Sequence, residues 1–227
     1  MQSIPLINLL IILLPVAIVG YVYSKWLNDK SEILIATFRM VVQLLLIGYA
    51  LSFIFDQDNY FIGLGIIIMM ITISSWIVIR NIRNKSPGSF IKIFIAIAIG
   101  GTVNLLLVIY FVLDLSSLYE PRFMIPIAGM IYSNAMNAVS LAAERFEQEH
   151  QSYVKAREIS FKASMIPQIN AFLAVGLVSL PGMMTGQILS GVDPLIAVRY
   201  QIVVMAMVLG SSGISVILYL LQMKKRT

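Results

Sequence analysis

The polar chemistry of this chain lies in a few residues set among apolar ones. In "FMIPIAGMIYSNAMNAVSLAA", Phe123 to Ala143, residues Ser133, Asn137 and Ser140 fall at i, i+4 and i+7. They therefore share one helical face, with Asn134 beside them. Ala128, Gly129, Ala135, Ala138 and Ala142 keep the same helix thin. In lipid such amides need partners, because an unsatisfied polar group costs several kcal/mol. Two readings follow: interhelical hydrogen bonds worth about 0.6–2 kcal/mol each, or the lining of a translocation pathway. A second pair stands in "TFRMVVQLLLIGY", where Arg39 and Gln43 are four residues apart on one face. Arg39 either snorkels to the interface or faces a polar pathway with Gln43, since an ionisable group inside a membrane marks a candidate site.

The stretch "VGLVSLPGMMTGQILSGVDP", Val175 to Pro194, carries four glycines and two prolines in an apolar run. Gly182 and Gly186 form a G-x-x-x-G, which predicts close approach of two helices. Pro181 removes a backbone hydrogen bond and predicts a kink or break. Broken helices at membrane depth survive where protein or a water-lined cavity covers the freed groups. Ser179 lies at this break, and Asp193-Pro194 reads as the N-cap and first position of a restarted helix.

Other chemistries find no support. There is no G-x-x-x-x-G-K-[ST] phosphate loop, so ATP is not bound that way. With no cysteine, disulfides and thiolate metal sites are excluded. His150, the single histidine, sits in a charged segment and reads as an exposed polar residue. Met124, Met130, Met136, Met183 and Met184 could suit a soft metal, but without tight Met-x-x-Met clusters they read as core filler. No metal site and no catalytic residue is expected.

The elements that must position these residues are membrane helices. Of 227 residues, 59% are hydrophobic and only 12% charged, with a mean hydropathy of +0.90. Apolar runs of about 18–28 residues repeat, each long enough to cross a bilayer core. Their continuity excludes a β-barrel, whose strands alternate. The predicted spans are 4–23, 35–55, 61–80, 91–113, 123–143, 164–190 and 195–221, in a single all-α domain over 1–227. Lys25, Lys30, Arg80, Arg83, Lys85, Lys92, Arg145, Lys155, Arg157, Lys162 and Lys224-Lys225-Arg226 collect in alternate connections and the tail. The intervening connections carry Asp56, Asp58, Asp114, Glu120 and Asp193, with Arg122 their only basic residue. The positive-inside bias then predicts seven spans, an outside N-terminus and a cytosolic C-terminus. The first span lacks a basic n-region and a following A-x-A-like site, so it is expected to remain a span.

"IPIAGMIYSNAMNAVSLAAER", "VGLVSLPGMMTGQILSGVDPLIAVRYQIVV" and "FRMVVQLLLIGY" together resemble the UPF0014 family of ABC transporter permeases, which includes FetB-like iron exporters. The resemblance covers most of the chain. It implies a multi-pass permease of the bacterial cytoplasmic membrane that is not itself an enzyme, with ATP bound and hydrolysed by a separate FetA-like ATPase. It also implies a homodimer of permeases and a metal-ion cargo, iron first. Relatives carry an Asp and a Lys where this chain has Asn170 and Leu173. They also carry a Gly-containing helix-turn in the cytosolic segment, whereas "EQEHQSYVKAREISFKASMIP" runs straight on. The ATPase-facing residues of this shortened loop, about 144–163, are Arg145, Lys155, Arg157 and Glu158, and a turn is required near His150–Ser152. The rival reading is a non-transporting regulatory or structural membrane protein, or a member inactivated by loss of that loop.

Overall fold

The computed structural model describes residues 5, 8, 11–28, 31–55, 59–115, 120–150 and 152–224. Lys30, Asp56, Asp58, Lys225, Arg226 and much of the N-terminal part of the first predicted span lie outside them. The chain packs as two compact units, Met1–Gln57 and Asp58–Thr227.

The first unit is a helical pair, α1 (Leu13–Leu27) and α2 (Glu32–Ile54). Asn28, in the left-handed region at φ 55°, ends α1. The Tyr23 hydroxyl donates to the Glu32 carboxylate and ties the two helices at their junction. Neither helix has a buried residue. α2 is long and apolar enough to cross a membrane.

The second unit contains α3 (Tyr60–Asn81), α4 (Pro87–Leu106), α5 (Pro121–Gln148), α6 (Tyr153–Ala174), α7 (Gly182–Leu189) and α8 (Pro194–Met223). α4 continues as a π-helical segment, Leu107–Val112. Helix starts follow their local chemistry. The Asn59 side chain accepts from the Phe61 N–H, Ser86 from the Ser89 N–H ahead of Pro87, and Asp193 from the Leu195 N–H ahead of Pro194. Among the described residues, α2, α3, the continuous run Pro87–Val112 and α8 are long and apolar enough to cross a membrane.

The core forms where α4, α5 and α8 meet, with α3 against α4 and α5, and α6 against α5 and α8. Small residues set the spacing. A Cβ on Gly100 would collide with Ser215, one on Gly101 with the Tyr132 ring, and one on Gly210 with the Asn104 amide. The helix axes can approach because these positions have no side chain. Polar groups in this core turn back on their own helices: Ser75 to the Ile71 carbonyl at 2.8 Å, Ser160 to Ala156 at 2.7 Å, and Asn104 to Gly100 at 2.8 Å. Tyr132 instead reaches across to Thr102, at 3.0 Å.

One end of this bundle is pinned by long-range bonds. Lys92 Nζ donates to the Gln222 carbonyl at 3.1 Å, and Gln222 Nε2 returns a bond to the Lys92 carbonyl at 3.2 Å. The Tyr153 hydroxyl donates to the Leu220 carbonyl at 3.0 Å. The Glu147 carboxylate accepts from the backbone N–H groups of Arg83 and Asn84, at 2.6 and 3.3 Å, and so holds the α3–α4 connection against α5.

The charged run 144–163 is helical on both sides of the turn required near His150–Ser152: α5 runs to Gln148 and α6 starts at Tyr153. Within the span 164–190 the helix is interrupted ahead of Gly182, at the break expected from Pro181. α6 stops at Ala174, and 175–181 form a tight turn with Gly176 at φ +82° and a bridge between Val175 and Ser179. The helix resumes after Pro181, whose carbonyl accepts from the Thr185 N–H at 3.0 Å. Glycine suits the positive φ at Gly176 because it lacks the Cβ that disfavours that conformation.

Candidate translocation site

α5 divides into two faces. Tyr132, Ala135, Ala138, Val139 and Ala142 are buried against the bundle, whereas Ser133 and Asn137 are exposed and Asn134 is half-buried. Ser133 Oγ and Asn134 Nδ2 donate to the Met130 carbonyl at 3.2 and 2.8 Å. Ser140, a turn farther along, accepts from Asn81 Nδ2 at 2.9 Å. The amide of Asn137 lies on the open face, one turn from Ser133. A Cβ on Gly129, two turns before Asn137, would meet nothing within 4 Å. This face presents amides and a hydroxyl on a narrow helix, an arrangement that can bind a polar solute, line a wet path or pair with another helix.

Of the other sequence candidates, Arg39 and Gln43 lie in the first unit, both exposed on α2. Asn170 is exposed near the end of α6. Ser179 belongs to the turn, where its carbonyl accepts from the Gly176 N–H at 3.0 Å. Pro181 directly precedes α7. Among the described residues, a Cβ at Gly182 or Gly186 would meet nothing within 4 Å. The close approaches are at Gly100, Gly101 and Gly210 instead.

Arg145, Lys155, Arg157 and Glu158 are exposed around the α5–α6 turn. Lys155 pairs with Glu158 at 3.2 Å, and the Arg157 guanidinium stacks on Tyr153, 5.6 Å from the ring centroid. Beside them a cavity of about 530 Å³ opens over Phe161, Ile217, Leu220 and Leu221, with Arg157 and Glu158 among its lining. Its apolar floor and charged lining suit contact with another protein. Glu147, which organises this end through backbone bonds to Arg83 and Asn84, was not singled out in the sequence. Its partners are distant in sequence and only the fold joins them.

At the opposite end, a cavity of about 600 Å³ lies among the π-helical segment, α5, α7 and α8. Arg122, Met130, Gln187, Tyr200 and Met207 are among its lining residues. Gln187 Oε1 is buried without a hydrogen-bond partner. Among the described residues no group of three His, Asp or Glu side chains is placed to hold a metal ion.

Comparison with known proteins gives a consistent answer. The family model described as "Uncharacterised protein family (UPF0014)" matches residues 6–158 and 148–227, two stretches that overlap near the α5–α6 turn. A UPF0014 membrane protein of Synechocystis, slr1647, is 32% identical over 219 residues, covering 88% of this chain and 85% of its own. The UPF0014 membrane protein YjkA of Bacillus subtilis is 34% identical, covering 83% and 81% respectively. The Escherichia coli protein named "Probable iron export permease protein FetB" is 33% identical, covering 86% and 81%. No solved structure matches the chain.

Proposed function

The chain belongs to the UPF0014 family of membrane proteins, and from that premise we propose that it is the membrane-spanning permease subunit of an ABC-type transporter. A FetA-like ATPase binds and hydrolyses ATP, two permease copies form the path, and the cargo is a metal ion, iron first. The relative named as an iron export permease supports this cargo class. The observation that carries the pathway reading is the open amide face of α5. An apolar environment would leave Asn137 without a partner, whereas a hydrated path or a second polar helix supplies one.

The proposed topology has α1–α6 and α8 as seven spans and α7 as a short segment on the outer side. The N-terminus is then outside, and the Lys92–Gln222 end, with Arg83, Arg145 and Lys155, faces the cytosol. A second reading, a member with weakened ATPase coupling, is favoured by one observation. The family match falls into two stretches overlapping at 148–158, where α5 and α6 are joined by a turn too short for a separate docking helix.

Co-expression with a candidate ATPase, followed by reconstitution in proteoliposomes, tests the proposal. ATP-dependent iron flux is expected with both subunits and with neither alone. An ATPase that neither binds the chain nor changes its turnover in its presence would overturn the permease reading.

A further inference from the structure

We propose that the cavity at the end opposite the Lys92–Gln222 contact is a phospholipid site, selective for a head group with a hydrogen-bond donor beyond its phosphate. This inference is independent of the transport reading, because its test measures lipid retention and no flux.

Several irregularities meet at this cavity. The π-helical segment supplies Val108, α5 supplies Pro126, and the short α7 supplies Met183 and Gln187. π-Helical turns are rare and concentrate at functional sites. Most of the lining is apolar, with Met130 and Met207 deeper than Arg122. Met130 is eight residues along α5 from Arg122, roughly 12 Å at the helical rise. A volume of about 600 Å³ lies in the range of sites that enclose a ligand of several hundred daltons, and a lipid acyl chain matches the apolar interior.

The polar groups specify the head. Arg122, in the first turn of α5, has no ion-pair partner among the described residues, and its planar guanidinium suits a phosphate oxygen pair. Gln187 Oε1 is a buried acceptor without a donor. Its backbone carbonyl accepts from the Val192 N–H at 3.0 Å, which sets Gln187 close to the start of α8, at the same end as Arg122. Pro126 has no N–H to give the carbonyl four residues earlier, that of Arg122. The mouth thus offers one anion-binding group, Arg122, and one buried acceptor in want of a donor, Gln187 Oε1. Phosphatidylethanolamine satisfies each condition. Phosphatidylcholine has the same charges and no head-group donor.

Native mass spectrometry of the detergent-purified chain, given equal amounts of the two lipids with identical acyl chains, tests this. One phosphatidylethanolamine is expected to be retained per chain, about tenfold over phosphatidylcholine, the ratio one hydrogen bond to a charged group supplies. Gln187→Leu should abolish the preference while keeping lipid bound. Arg122→Gln should lower retention of both lipids about tenfold, with Arg122→Lys recovering part. Val204→Trp, which fills the cavity, should lose both, and inorganic phosphate should not displace the lipid. Equal retention of the two lipids by the native chain, or undiminished retention in Arg122→Gln, would overturn the proposal. Circular dichroism confirms that each variant is folded.

Discussion

A methyl group placed on Gly100 would lie 2.7 Å from the backbone nitrogen of Ser215, so α4 and α8 meet backbone to backbone at that level. Nothing flexible can yield there, because the obstacle is main chain. Gly100→Ala is therefore expected to destabilise the bundle by about 1–3 kcal/mol, the usual cost of overpacking. Gly186→Ala, with open space around it, should stay within about 0.5 kcal/mol of the native chain. Thermal unfolding in one detergent compares them, and equal midpoints would refute the assigned packing.

The chain contains no cysteine, so single-cysteine labelling reports each position cleanly. Asn137→Cys and Ser133→Cys are expected to react with a small hydrophilic methanethiosulfonate reagent in membranes, because both lie on the open face of α5. Ala135→Cys, at a position with 0% exposure, should not react. Protection of Asn137→Cys equal to that of Ala135→Cys would place the amide face against lipid or another helix and remove the pathway reading.

Parts of this architecture are legible in the sequence for local reasons. Asp193-Pro194 announces the start of α8 because cap and first position are neighbours in the chain. The polar face of α5 is visible because its members repeat with the helical period. Close packing is different. The spacing of Gly182 and Gly186 describes a face without saying what lies opposite, and among the described residues nothing lies within 4 Å of a Cβ there. Gly100 and Gly101 lack that spacing, and their meaning comes from Ser215 and Tyr132 on other helices. The reciprocal Lys92–Gln222 bonds and the Glu147 clamp are hidden for the same reason. The helices on either side of 149–152 are legible as a charged helical run, and the need to return to the membrane requires the turn between Gln148 and Tyr153.

Topology has a direct test. Reporter fusions at Asn59 and Thr227 are expected to report external and cytosolic locations respectively, from the asymmetry of lysine and arginine between connections. A cytosolic signal at Asn59 would end the seven-span arrangement.

Glu147 joins α5 to the α3–α4 connection through two backbone N–H groups. Glu147→Ala leaves both donors without that acceptor, whereas Glu147→Gln keeps one good acceptor oxygen. Hydrogen exchange of the 82–86 amides should rise by about one to two orders of magnitude in the alanine variant and less in the glutamine variant, matching roughly 1.5–3 kcal/mol for a bond to a charged group. Unchanged protection in Glu147→Ala would show that the connection is held by other contacts.

The last prediction concerns coupling to an ATPase. α5 and α6 are joined across 149–152 without room for a separate helix, and α6 packs from its first turns: Ala156 is 3% exposed and Ser160 0%. An added segment placed between Tyr153 and Phe161 would break this packed helix. The 149–152 turn is the position where a relative's helix-turn can enter without disturbing the core. The native chain should bind a cognate ATPase more weakly than relatives that carry the helix-turn and stimulate its turnover little, because the α5–α6 corner, with Arg145, Lys155, Arg157 and Glu158 exposed on it, has no separate helix to enter the ATPase. Insertion at 149–152 is expected to raise both binding and stimulated hydrolysis, while insertion inside α6 lowers stability and restores neither. Pull-down and ATP hydrolysis in nanodiscs, with the native chain and both insertions, distinguish these outcomes. Full stimulation by the native chain would mean that the exposed corner of α5 and α6 is itself a sufficient docking surface.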